Sequence, residues 1–125
     1  MNPQELKART KTFGLRVVKL VRMLPPSEEA RVLGQQLLRS ATSVGAHYRA
    51  VCRGQSDRDF IYKLGRCIEE ADESGYWLEL LIAANIATAE TATALAAESE
   101  ELTRIFAASR ETVRARLRSK RKKKE

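Results

Sequence analysis

The stretch from Gln35 to Leu81 constrains this chain more than any other. Upstream of the turn, Leu33, Leu37, Ala41, Val44, Tyr48 and Val51 step by four, four, three, four and three. Downstream, Phe60, Leu64, Cys67, Ala71, Ser74, Leu78 and Leu81 step by four and three without a break. Steps of this kind keep one stripe of a helix facing a partner. Between the arms lies Arg53-Gly54-Gln55-Ser56. Gly54 is expected to take the left-handed conformation that ends a helix. Ser56 with Asp59 is an acidic variant of a helix start. The pattern predicts two long helices folded back on each other.

The flanking segments add one helix on each side. Asn2, Pro3 and Glu5 form an N-terminal start signal, and Leu6, Thr10, Phe13, Val17, Leu20 and Leu24 make the inward stripe. Arg9, Thr12, Arg16 and Lys19 make a polar, basic stripe beside it. Pro25-Pro26 stops the helix. Ser27-Glu28-Glu29 starts the second, which is expected to run to about Arg53. The third is expected over Asp57 to about Ala84. After Asn85-Ile86-Ala87-Thr88, the fourth is expected from about Ala89 to Leu117, with Leu95, Leu102, Ile105, Ser109 and Val113 inward. Five of the six glycines fall inside these helices, where each costs about 1 kcal/mol relative to Ala. They are expected at close helix contacts. Short connections between such helices imply an all-α, up-down-up-down antiparallel four-helix bundle over residues 1–118. No apolar residue follows Leu117, so residues 119–125 are expected to form a basic C-terminal tail, disordered or a frayed helix end that orders on a partner.

The 125-residue chain carries a net charge of +7, and the location of that charge is informative. Residues 110–125 hold nine basic and two acidic side chains, which accounts for all of it. Residues 1–66 hold thirteen basic and five acidic side chains, whereas residues 67–103 hold nine acidic and no basic ones. The chain is thus a basic half, an acidic half and a basic end. No run of eighteen apolar residues occurs, so no membrane partner is expected, and the start of the sequence lacks a signal-peptide core, so a cytoplasmic location is expected.

Little in the sequence points to catalysis. The single histidine excludes a multi-histidine metal centre within one chain. Glu70 and Glu73 have the spacing of bundle di-metal ligands, but no Glu-x-x-His partner exists. Cys52, Cys67 and His47 lack zinc-type spacing, and no acid is placed to orient His47 beside Ser40 and Ser43 in a triad. Taking the turn as the centre of the hairpin, Cys67 falls level with about Ser43. It then lies about nine residues, or roughly 13 Å, from Cys52, too far for a disulfide. Two buried free thiols are expected. The same rule puts Glu70 level with Ser40 and Glu73 with Leu37. A structural polar seam joining Gln36, Arg39 and Ser40 to Glu70 and Glu73 follows. No enzyme activity, cofactor or metal is expected.

A family resemblance rests on a set of short motifs. These are Gln36-Leu37-Leu38-Arg39-Ser40, Thr42-Ser43-Val44-Gly45-Ala46, Asp59-Phe60-Ile61, Lys63-Leu64, Glu70-Ala71, Glu73 and Tyr76-Trp77-Leu78-Glu79-Leu80-Leu81. They resemble the signature of a bacterial four-helix-bundle protein family, first known from reading frames inside intervening sequences of 23S ribosomal RNA genes. Two positions depart from the pattern: His47 stands where the family usually has Asn, and Ala50 where it usually has Glu. The resemblance implies a ring-shaped homopentamer. A related branch assists the reverse transcriptases of diversity-generating retroelements.

Two functions compete at this level. The first is a non-enzymatic homo-oligomeric scaffold that binds nucleic acid, RNA above all. Its residues are the flank Arg39, Arg49 and Arg53 and the tail Arg114, Arg116, Arg118, Lys120, Arg121, Lys122, Lys123 and Lys124, which can neutralise phosphates with little sequence preference. The second is a protein-interaction adaptor, for example for a reverse transcriptase, with the basic flank as its docking surface.

Overall fold

In a computed structural model, residues 1–124 form four helices. They are α1 (Pro3–Arg22), α2 (Glu28–Val51), α3 (Asp57–Ala83) and α4 (Ala89–Lys124). Among the described residues there is no strand, and no helix is long and apolar enough to cross a membrane.

Each of the first three helices starts on a capping side chain. Asn2 Oδ1 accepts from the Glu5 amide at 2.8 Å, while Asn2 Nδ2 donates to Glu5 Oε1 at 2.7 Å. Ser27 Oγ accepts from the Ala30 amide at 3.2 Å, and Ser56 Oγ from the Asp59 amide at 3.1 Å. These bonds satisfy amides that the helix itself leaves without partners.

The helix ends correct two expectations. Gly54 does not take the left-handed conformation; Asn85 does, with φ 58°. At the end of α3 the Ile86 amide donates to the Leu81 carbonyl at 2.9 Å and the Asn85 amide to Ile82 at 3.0 Å. This is the Schellman closure, with Asn in the position where Gly is commoner. Gly54 is required for space instead. A Cβ there would lie 3.0 Å from the Val51 carbonyl oxygen and 3.2 Å from Asp59 Oδ2.

Consecutive helices pack on each other, and α1 closes on α4. A Cβ at Gly45 would lie 3.6 Å from the Thr10 carbonyl oxygen, one at Gly14 3.8 Å from that of Ala41, and one at Gly34 3.0 Å from Leu24 Cδ1. Residue numbers thus fall along α2 as they rise along α1. Gly65 faces Arg110 and Gly75 faces Ser99, which gives α3 and α4 the same opposed register. The glycines sit where neighbouring helices come close.

The core is built on Phe13, Leu37, Leu64, Leu78, Leu81, Leu95, Leu102 and Phe106, all fully buried. The Tyr48 and Phe106 rings stack with centroids 5.7 Å apart, joining α2 to α4. Along α4 the buried set is Ala92, Leu95, Ser99, Leu102, Phe106 and Val113. Ile105 and Ser109, expected inward, are only half-buried. After Leu102 the helical period permits either Ile105 or Phe106. Ser99, a small polar residue on the buried seam, conceals the steps of three and four that select Phe106.

The expected disordered tail is also corrected: α4 continues as helix through Lys124. Ala, Arg and Lys are good helix formers, and cations are favoured at the negative end of a helix dipole. Glu125, the last residue of the expected tail, lies outside the described residues. At 36 residues α4 is about 54 Å long, against about 40 Å for the 27 residues of α3.

Candidate nucleic-acid interface

The overshoot of α4 places its basic end beside the start of α3. Asp57, the first residue of α3, accepts from Arg116 Nη2 at 3.2 Å and from Lys120 Nζ at 3.4 Å. The Arg116 guanidinium holds the Asp57 carboxyl below the usual carboxylate range, and Lys120 adds to the effect. Arg118 is engaged by Glu111 at 2.7 Å, which lowers that carboxyl in turn. Arg114, Arg121, Lys122, Lys123 and Lys124 are exposed and have no acidic partner among the described residues. Of the eight tail cations, two therefore tie α4 to α3, one pairs within α4, and five face water.

The α2 flank divides differently. Arg39 turns inward across the helix pair. Its guanidinium donates to Glu70 Oε2 at 3.5 Å and to Glu73 Oε2, and its Nε to Gln36 Oε1 at 3.4 Å. Trp77 Nε1 donates to the same Glu73 oxygen at 3.2 Å. Beneath this, Ser74 Oγ donates to Ser40 Oγ at 2.9 Å, and Ser40 Oγ to the Leu37 carbonyl at 3.2 Å. The structure thus brings Gln36, Arg39, Glu70 and Glu73 together, with Ser40 underneath. Ser74, not Glu70, is level with Ser40, one turn further along α3 than the height rule placed it. α2 ends at Val51, earlier than expected, while α3 starts at Asp57 as read. Arg53 is exposed just beyond the end of α2, and Arg49 is exposed on the helix.

Arg49 also borders a groove of about 500 Å³ between α1 and α2. Gly14, Leu15, Val18, Thr42, Gly45 and Ala46 line it together with Lys7 and Lys11. Leu15 is 53% exposed. At the opposite side of α1, Arg9 grips Glu98 of α4 with two bonds, of 2.8 and 2.7 Å. That bond holds the Arg9 pKa above its ordinary value.

The thiols differ from expectation. Cys67 is buried, but Cys52 is exposed, because it lies at the C-terminal cap of α2. Burial, with Cys52 nearby, pushes the Cys67 thiol up to about 12. Among the described residues, no three His, Cys, Asp or Glu side chains come together as a metal-ligand set.

Residues 4–108 match the family described as 23S rRNA-intervening sequence protein. The chain belongs to that family. A crystal structure of a protein of unknown function, from the S23 ribosomal protein family of Bacteroides thetaiotaomicron VPI-5482, is similar with a TM-score of 0.81 and 34% sequence identity. The similarity covers 89% of this chain and 99% of that one. No curated protein matches the chain. The family match takes in α1 from its second residue, all of α2 and α3, the Arg39 seam and the groove at Arg49. It stops before Arg110, so the cationic end of α4 lies beyond it.

One group was not singled out by sequence reasoning. Arg58, Tyr62 and Arg66 follow at four-residue steps along the first turns of α3, all exposed. The signal was present in the sequence, but it sits where the chain passes from net basic to net acidic and was counted there only as charge.

Proposed function

We propose that this member of the 23S rRNA-intervening sequence protein family is a non-enzymatic homo-oligomeric scaffold that binds RNA. The subunit is an up-down-up-down bundle, a reading supported by the opposed registers of its neighbouring helices, and it works in the cytoplasm as a pentameric ring. One observation carries the RNA-binding reading: α4 extends past the start of α3 as a helix with exposed cations. A helical end presents its charges at fixed spacing, so less chain entropy is lost on engaging a phosphate backbone. In a ring, several such helices act together and avidity follows. Arg49 and Arg53 add cationic surface on α2, while Arg39 serves the fold.

The division of charge supports assembly. A bundle that is net basic over residues 1–66 and net acidic over residues 67–103 can meet a copy of itself basic side to acidic side. Such a heterologous contact closes into a ring when its rotation allows. Exposed ion pairs contribute only about 0–1 kcal/mol each, so charge orients the subunits and packed side chains hold them.

The test is truncation after Leu117, with RNA affinity followed by fluorescence anisotropy over a salt series. The bundle should stay folded, because no apolar side chain is removed. Affinity should drop and its salt dependence should flatten. Unchanged affinity at moderate salt would overturn the role of the α4 end. A second reading, an adaptor for a nucleic-acid-processing protein such as a reverse transcriptase, is favoured by the α1–α2 groove, whose apolar lining at Leu15 and Val18 suits a protein side chain better than a phosphate. Partner binding that survives the truncation would select it.

A further inference from the structure

The α3 stripe of Arg58, Tyr62 and Arg66 bears on the form of nucleic acid this protein takes. Side chains four residues apart share one face of a helix, so Tyr62 lies between the two arginines. Tyr62 is 65% exposed. The other two tyrosines have partners: Tyr48 stacks on Phe106 in the core, and Tyr76 packs edge-on against Trp77. Among the described residues, Tyr62 has neither an aromatic neighbour nor a side-chain hydrogen bond. Most of the residue is open to water.

Cations surround it without being neutralised. Arg58 and Arg66 have no acidic partner among the described residues. Across the helix pair, Arg110 lies over Gly65, its Nη1 3.8 Å from where a Cβ would stand. Gly65 leaves room for that guanidinium one turn from Tyr62. Arg114 follows on the next turn of α4, close enough to Glu111 that both Arg110 and Arg114 lower that carboxyl. Three nearby acids are occupied: Asp57 by Arg116 and Lys120, Asp59 by Lys63 at 2.9 Å, and Glu111 by Arg118. Glu69, one turn beyond Arg66, marks where the acidic part of α3 begins.

We infer that this end of the α3–α4 face is a stacking site for single-stranded RNA, with Tyr62 against a base and Arg58, Arg66, Arg110 and Arg114 along the flanking phosphates. An exposed ring inside a cationic field is how proteins hold unpaired strands without reading sequence. A duplex keeps its bases stacked on one another and offers the ring nothing. The inference rests on the RNA-binding reading above and adds to it the strand form and the site.

The experiment uses the full-length, nuclease-treated protein as wild type, Tyr62→Ala, Tyr62→Phe and the truncation after Leu117. The probes are a fluorescein-labelled oligouridylate and a labelled RNA duplex, titrated over a salt series. Tyr62→Ala should weaken oligouridylate binding by about 5- to 150-fold, the equivalent of the ~1–3 kcal/mol that stacking one base contributes. Its salt slope should not change, because no phosphate contact is lost. Tyr62→Phe should bind like wild type, and duplex affinity should be the same for all three Tyr62 forms. Circular dichroism should show equal helicity, since the side chain is exposed. Undiminished oligouridylate binding by Tyr62→Ala, or equal losses for oligouridylate and duplex, would overturn the stacking site. If the truncation still weakens binding in that case, the RNA-binding reading stands alone. If the wild type binds neither probe, both fall.

Discussion

Gly75 of α3 faces Ser99 of α4, and the sign of a single substitution there depends on its partner. A Cβ at Gly75 would stand 2.8 Å from Ser99 Oγ but 3.9 Å from Ser99 Cβ. Only the hydroxyl excludes it. That hydroxyl is itself fixed by a 2.8 Å bond to the Ala96 carbonyl on a nearly fully buried residue. Gly75→Ala therefore sets two effects against each other. Helix propensity gains about 1 kcal/mol. Forcing an extra methyl into a packed interior costs about 1–3 kcal/mol. The single variant should lose about 0–2 kcal/mol. In a Ser99→Ala background the obstructing oxygen is gone, the remaining 3.9 Å approach is ordinary van der Waals contact, and Gly75→Ala should gain up to about 1 kcal/mol. Urea unfolding followed by circular dichroism, at one fixed protein concentration because any self-association makes stability concentration-dependent, closes this double-mutant cycle. A gain from Gly75→Ala in the wild-type background, or the same change in both backgrounds, would refute the packing described for this contact.

Two further predictions concern charge and thiol chemistry. Arg116 depresses the folded-state pKa of Asp57, so the clasp on α4 is fully present above the ordinary aspartate value of about 3.9 and is lost as pH falls through the depressed value. Amide protection at the end of α4 should drop over that acidic window, and Asp57→Asn should show the reduced protection already at neutral pH; protection independent of both would remove the clasp. In the native protein at pH 8, Cys52 should react with iodoacetamide while Cys67, buried and pushed up to about 12, stays protected until unfolding; mass spectrometry showing equal labelling would contradict that placement.

The helices were legible because their stripes are regular. The Leu33-to-Val51 and Phe60-to-Leu81 steps both face inward, and the capping residues Asn2, Ser27 and Ser56 stand where the sequence put them. What escaped depended on choices that local pattern leaves open. Gly54 and Asn85 are both turn residues, and only the backbone distinguishes a crowded glycine from a left-handed asparagine. Ile105 and Phe106 fit the same period, and the partner helix decides between them. The Ser40–Ser74 bond sets the hairpin register a turn away from the height rule, which assumes a symmetric turn. For the candidate interface, the sequence revealed where the cations are but not which ones the fold consumes. Arg39, Arg116, Lys120 and Arg118 find acids that lie 31, 59, 63 and 7 residues away along the chain. Tyr62 was visible as a letter, but its isolation from every other ring is a property of the folded molecule.

Assembly and RNA binding are the centre of this account, and one measurement addresses both. Size-exclusion chromatography with light scattering, on nuclease-treated full-length protein with and without added single-stranded RNA, gives mass and association together. The account predicts a particle of five times the 14.1 kDa chain mass that gains further mass when RNA is added. It should weaken but not dissolve in high salt, because exposed ion pairs contribute only about 0–1 kcal/mol each. A monodisperse monomer at tens of micromolar in low salt, folded and unaltered by RNA, would contradict it.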